Sequence, residues 1–198
     1  MNLKYPEFHL TENNFQILKD LFSDLRPLKN GQGTLNAVEY FKPATEYLRQ
    51  TNIRTNLDFV TQHIARPHNE NDLEIYQIAI EKWNNGDRLD YAELPKRLIK
   101  HSNTDAFVNR FQVVNGKGIS HTVVAHIAMD GHYYIHPDKK QNRSISVREA
   151  ARIQSFPDDY FFEGSRTAAF KQIGNAVPPL MAQKIAEKIK QILWTNTK

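Results

Sequence analysis

At 198 residues and 40% hydrophobic composition, the chain is long enough to bury a core as one domain, or as a domain with an appendage. It contains no cysteine, which excludes disulfides and cysteine-ligated zinc. It also has no apolar run of membrane-spanning length and no apolar signal segment among residues 1–15, so a cytoplasmic protein with no membrane partner is expected.

The formal net charge of +4 is by itself a weak pointer to nucleic acid. Its distribution says more. The window from Lys96 to Arg148 holds nine basic residues against Asp105, Asp130 and Asp138, a net +6 that suits a phosphate backbone.

Taken in order, Thr11 can cap a helix running to about Leu25, with Phe15, Leu18, Phe22 and Leu25 as its apolar stripe. Arg26-Pro27 and Gly31-Gln32-Gly33 end it. Residues 39–50 suit a short helix interrupted by Pro43. A second clear helix starts at Asn71-Asp72-Leu73-Glu74, with Leu73, Tyr76, Ile80 and Trp83 on one face and Asn84-Asn85-Gly86 as its stop. A third is predicted from Tyr91 to His101, with Leu94 and Leu98 inward, and a further turn over 103–110.

The period then changes. Residues 122–128, TVVAHIA, are rich in β-branched side chains and predict a strand. Asp130-Gly131 is a hairpin signal, with Tyr133-Tyr134-Ile135 as the returning strand. His132 and His136, four apart on such a strand, would lie about 13 Å from each other, too far to share a metal ion. No metal site is expected.

From Arg143 to Trp194 two helices are predicted, joined by an aromatic loop and a tight Gly174-Asn175 turn. Ser146-Val147-Arg148-Glu149 has the form of a capping box, and Pro157 helps stop the helix it opens. Pro178-Pro179 suits the first turn of the last helix. Leu180, Met181, Ile185, Ile189, Ile192 and Leu193 then fall on one face of it.

These residues carry a resemblance. Arg148-Glu149-Ala150-Ala151-Arg152-Ile153-Gln154-Ser155-Phe156-Pro157-Asp158 resembles motif IX of the DNA (cytosine-5) methyltransferases, and Gln172-Ile173-Gly174-Asn175-Ala176-Val177-Pro178-Pro179 resembles their motif X. Both stand in the family's order and at its usual spacing. Residues 107–113 and 120–138 are similar to the segment that precedes motif IX in bacterial members, and 10–33 to the segment after motif VIII. The chain thus maps onto the family's C-terminal part.

The resemblance also defines what is missing. The family attacks carbon 6 of cytosine with a cysteine thiolate, a nucleophilic step that a chain without cysteine cannot supply. The Phe-x-Gly-x-Gly cofactor loop and the Pro-Cys, Glu-Asn-Val and Gln-x-Arg-x-Arg motifs are also absent. Gly31-Gln32-Gly33 and Gly116-Lys117-Gly118 are lone triplets with no apolar strand before them. No catalytic residue is therefore expected here, and the chain alone is expected to be inactive.

By the same resemblance, Asn175, Ala176 and Val177 would contact S-adenosylmethionine, with Ala176 standing where some members have serine. Asn175 serves equally as a helix-entry turn residue. Arg110, Lys117, His121, His126, His132 and Tyr133 are the candidates for DNA contact, because side-chain hydrogen bonds read base edges and cations hold phosphates. Arg148 and Glu149 are expected to be structural. One member each of Tyr133-Tyr134 and Phe161-Phe162 is expected in the core.

The expected fold class is α+β. Residues 1–142 would form a target recognition region of helices with a β-hairpin. Residues 143–198 would carry the helices that complete a Rossmann-like, S-adenosylmethionine-dependent methyltransferase domain. The expected function is a subunit or fragment of a cytosine-5 DNA methyltransferase acting on duplex DNA, with the catalytic cysteine on a partner chain. An inactive remnant and a stand-alone DNA-binding module are the alternatives. An upstream reading frame ending in motif VIII would favour the subunit or the remnant; sequence-specific binding without a partner would favour the module.

Overall fold

The computed structural model describes residues 15–100 and 109–195. A short antiparallel ribbon pairs β1 (Val38–Glu39) with β2 (Phe59–Val60), Val38 opposite Val60 and Glu39 opposite Phe59. The α-helices among the described residues are α1 (Glu46–Gln50), α2 (Glu70–Asn84), α3 (Val147–Ile153), α4 (Arg166–Asn175) and α5 (Pro179–Thr195). No helix among these residues is long and apolar enough to cross a membrane.

Local capping explains several boundaries. Asn69 caps α2 by accepting from the Asp72 amide, and Gly86 ends it with a φ of +83°. The Ser146 hydroxyl accepts from the Glu149 amide at 3.1 Å, and the Glu149 carboxylate accepts from the Ser146 amide at 2.7 Å, completing the predicted capping box. Helix α1 starts only after Pro43, capped by Thr45.

Four expectations are corrected. The helix predicted from Thr11 to Leu25 is, in its described part, a π-helical turn over Ile17–Leu21 entered from an extended Gln16; the Thr11 cap lies outside the described residues. The Ile17 and Leu18 amides donate to the Gly118 and Gly116 carbonyls, so a tertiary strand-like contact replaces the first helical turn. Pro95 splits the Tyr91–His101 helix into 3₁₀ turns at Tyr91–Glu93 and Lys96–Leu98, although Leu94 and Leu98 are buried as expected. The turn over 103–110 falls largely outside the described residues.

The third correction is the hairpin. Ala125–Ala128 is a 3₁₀ turn, and residues 122–128 pair with nothing as a strand. The Tyr134 hydroxyl accepts from the Val124 amide and donates to the Thr122 carbonyl, each at 3.0 Å. Arg66 donates to the carbonyls of Ile127, Ala128 and Met129. These side chains take the backbone groups that a strand ladder would have used. Ile135 instead bridges Val113 in parallel and Ser144 antiparallel.

The fourth is the C-terminal region, which holds three helices rather than two. Gly174 and Asn175 close α4 and do not form a free turn; Ser165 caps its start by accepting from the Ala168 amide.

One apolar cluster joins Ile17, Leu48, Val114 and Tyr134 to Val147, Phe170 and Ile173, so it draws on both sides of Asn142. A second gathers α2 with Leu94, Leu98, Phe111 and Ile135. Tyr134 and Phe162 are core while Phe161 is exposed, as expected of the two aromatic pairs.

Helix α3 crosses the centre with every residue from Val147 to Arg152 buried. Arg152 bridges Asp24 and Asp158, with contacts of 2.5 Å to each, and also donates to the Leu21 carbonyl. Arg148 donates to the carbonyls of Thr61, Pro157 and Tyr160. Arg143 holds Glu149 through two 2.7 Å bonds. Burial alone would push the Glu149 carboxyl up; Arg143, with His136 beside it, overcomes this and holds it well below the usual range.

A buried ion pair is strongly destabilised when one partner is removed. Arg152→Met leaves Asp24 and Asp158 buried without it and is expected to cost about 3–5 kcal/mol, read as a lower urea midpoint. A second expectation concerns acid. Burial, reinforced by Arg143, pushes the His136 imidazole down to about 3, and burial also lowers His63. Both are neutral in the folded chain at neutral pH, whereas an unfolded histidine titrates near 6.5. The unfolded chain therefore takes up protons first. Stability is complete above about pH 6.5 and declines as pH falls toward 3. Urea midpoints at successive pH values check this, and a flat profile between neutral pH and pH 5 contradicts it.

Candidate nucleic-acid and cofactor site

A cleft of about 1250 Å³ lies among the 17–21 turn, the 115–123 loop, the end of α3 and the α4–α5 junction. Lys19, Lys117, His121 and Ser120 give it a polar side, while Ala176, Pro178 and Met181 give it an apolar one.

The junction is pinned from below by two residues whose roles the sequence did not single out. Gln154, buried at the end of α3, donates through Nε2 to the Ile173 carbonyl at 3.1 Å and lies 3.4 Å from those of Val123 and Ala176. It thereby satisfies carbonyls left open where α4 ends. Ser155, at a φ of +59°, accepts from the Leu180 amide at 3.1 Å and so caps the first turn of α5. Their signal in the sequence was their place at the end of the motif IX stretch, directly before Phe156-Pro157.

Of the cofactor candidates, Ala176 lines the cleft. Asn175 is exposed and donates back to the Lys171 carbonyl at 2.8 Å, the arrangement of a helix-end residue. Val177 is 61% exposed, an apolar side chain with little cover. Of the three, Ala176 is the one among the residues lining the cleft. Gln154 and Ser155 are committed to the backbone, so the adjoining polar groups hold that side of the cleft in shape.

The DNA candidates separate. Lys117 is exposed and lines the cleft. His126 is exposed on the 3₁₀ turn beside Val124 and Met129, which are 45% and 73% exposed. Arg110 lies 3.4 Å from Asp130. His121 is half-buried, bonded through Nε2 to the Tyr133 carbonyl at 2.7 Å and stacked on Tyr134. Burial lowers its pKa, so it is a neutral hydrogen-bonding group. Tyr133 packs edge-on against His121. His132 points inward: it is 7% exposed, with Nδ1 2.8 Å from the Tyr76 hydroxyl, so it is not placed to reach a base edge.

The basic window is likewise reduced. Arg143 and Arg148 are buried, and Arg97, Lys100 and Lys139 pair with Glu74, Asp72 and Glu81.

Gly174 sets the spacing between α4 and the turn that carries His126. A Cβ there would lie 2.5 Å from the Val124 carbonyl oxygen and 2.7 Å from the Ala125 Cα. Gly174→Ala must displace backbone and is expected to cost about 1–3 kcal/mol, measured by denaturant unfolding, and to increase protease cleavage at 124–130.

The family model for C-5 cytosine-specific DNA methylase matches residues 2–191. The type II methyltransferase M.Bpa9945I of Bacillus paralicheniformis is 47% identical over 205 residues, which takes in 98% of this chain and 45% of that protein. DNA (cytosine-5)-methyltransferase 4 of Arabidopsis thaliana is 30% identical over 204 residues, with 91% of this chain and 13% of that one. A solved structure described as a DNA modification methyltransferase encoded within an E. coli prophage has a TM-score of 0.51 and 20% identity, covering 89% of this chain and 46% of that one. The chain thus spans about half the length, 45%, of the Bacillus relative. With motifs IX and X in place around a shared core, the chain belongs to the C-5 cytosine-specific DNA methylase family.

Proposed function

We propose that this chain is the recognition half of a cytosine-5 DNA methyltransferase acting on duplex DNA in the cytoplasm, and that the nucleophilic cysteine comes from a partner chain. The observation that carries the reading is α5. Its first turn is anchored through Ser155, but Met181, Ile189 and Leu193 are 56%, 48% and 63% exposed. An apolar helical face of that kind is suited to packing on another protein surface. In this reading α5 completes the Rossmann-like catalytic domain.

S-adenosylmethionine would supply the methyl group when bound. Ala176 and Val177 form one wall for it, with Asn175 at the edge, while Gln154 and Ser155 keep that wall in place. In this reading the exposed Lys117 neutralises phosphate, and the exposed His126 is the group open to a base edge. His121 orders the loop through Tyr133. The target base must leave the stack before its ring can be attacked. The division near Asn142 is then one of role, recognition before it and support after it, with the core continuous across it. The type II names of the bacterial relatives fit a restriction-modification setting.

Labelled methyl transfer from S-adenosylmethionine to mixed-sequence duplex DNA tests this. The chain alone is expected to be silent. Adding a related chain that bears the Pro-Cys motif and the Gly-rich loop is expected to restore transfer, and Ile189→Asp to abolish the restoration by blocking association. Lys117→Ala should weaken DNA binding on all sequences and lower the salt slope by about one. Activity from the chain alone, or no association with a folded partner, refutes the proposal.

A further inference from the structure

A polar cluster that the methyltransferase reading leaves unused lies between α2 and the 130–132 turn. His68 precedes the α2 cap, Asp72 lies in its first turn and Tyr76 one turn further on, a spacing of four and four that aligns Asp72 with Tyr76. His132 arrives from across the chain. One donor atom each from His68, Asp72 and His132 lies within 4.8 Å of the other two. We propose that His68, Asp72 and His132 form a binding site for a divalent first-row metal ion, zinc by preference, with the Tyr76 hydroxyl at the fourth position.

The orientation of each ring supports this. His132 directs Nδ1 to the Tyr76 hydroxyl at 2.8 Å, while its Nε2 lies 3.9 Å from the Asp130 carboxylate. His68 lies with Nδ1 3.3 Å and Nε2 3.4 Å from the same hydroxyl, and its Nε2 is also 2.8 Å from the Ser144 hydroxyl. In His68 the Ser144 hydroxyl holds Nε2, the kind of oxygen partner that metal-binding histidines use for the nitrogen not on the ion. One Asp72 oxygen accepts from Asn69 at 2.7 Å, and the other is 3.6 Å from Lys100, whose exposed ammonium can withdraw into solvent.

Zinc holds nitrogen and oxygen ligands about 2.0–2.1 Å away, so tetrahedral ligands sit about 3.4 Å apart. The cluster needs a contraction of about 1.4 Å at most, within reach of side-chain rotation. Two imidazoles, a carboxylate and a phenol hydroxyl suit zinc better than calcium or magnesium, which prefer oxygen throughout. His136, four residues beyond His132, stands apart from the cluster, beside Glu149.

A metal there would tie the start of α2 to the 130–132 turn and hence brace the loop that carries His126. The test uses the full chain, stripped with a chelator and titrated with zinc by calorimetry, with cobalt as a visible-absorption probe. The expected result is one saturable equivalent, cobalt bands of the intensity of a four-coordinate nitrogen and oxygen site, and a raised thermal midpoint. Asp72→Asn keeps the side-chain shape and should weaken zinc at least roughly tenfold, since even an outer-shell loss costs that much. His68→Gln, at a half-exposed position, provides a second variant should the first fail to fold. No saturable binding at micromolar zinc overturns the site, as does binding that neither variant moves. Because the readout is metal binding by this chain alone, it is independent of methyl transfer.

Discussion

The constraint on which the rest depends is the burial of three arginines around one short helix. Arg148 and Arg152 lie on α3 and Arg143 just before it, and all three are at most 1% exposed. Each must be matched locally, because an unpaired buried charge is far too costly to keep. Arg152 does so by drawing Asp24 from the N-terminal turn and Asp158 from the loop after α3. Arg54 and the Tyr40 hydroxyl complete the same carboxylates, at 2.9 and 2.8 Å. Burial, the Asp158 charge and its hydrogen bond raise the Tyr40 pKa strongly, so it remains a donor. Segments far apart in sequence are thus fixed by the donor geometry of a planar guanidinium, which a lysine could not reproduce.

From that centre the candidate site is reached in one further step. The α3 helix ends with Gln154 and Ser155, and these two hold the end of α4 and the start of α5. The α4–α5 junction is where Ala176 and Val177 stand, so a charge network in the core determines the position of a proposed cofactor wall. Helix α5 then leaves the core with its apolar side open. On the other side of α4, Gly174 admits the backbone of 124–125, and the exposed His126 and Met129 follow from that approach. The proposed recognition face and cofactor wall therefore rest on the same scaffold, an apolar core that runs through Asn142 without a break.

Legibility varied with the range of the interaction. The capping box at Ser146 and the stop of α2 were readable because each depends on residues a few positions apart, whereas α2 begins at Glu70 under an Asn69 cap rather than at Asn71, and of the 39–50 helix only Glu46–Gln50 forms, with Glu39 in a strand. The hairpin after Asp130-Gly131 was not readable. Gly131 does adopt a φ of +77°, as the turn signal required. The β-branched run before it is nevertheless bound by the Tyr134 hydroxyl and the Arg66 guanidinium, one from beyond the turn and one from more than fifty residues away. Local β preference has no access to such partners. At Pro95 the competition is local instead: the missing amide and the ring outweigh the helical periodicity of Leu94 and Leu98.

What the sequence determined by itself was membership, composition and the local ends of helices. Motifs IX and X identified the family, and the cysteine count removed the nucleophile from these residues. What only the tertiary structure decided was direction. It turned His132 inward to Tyr76 and left His126 outward, buried Arg143 and Arg148 out of a stretch that reads as net basic, and left one side of α5 open. The reason is that a residue's type sets what it can bond to, whereas its burial and its partners depend on segments that meet only after the chain has folded.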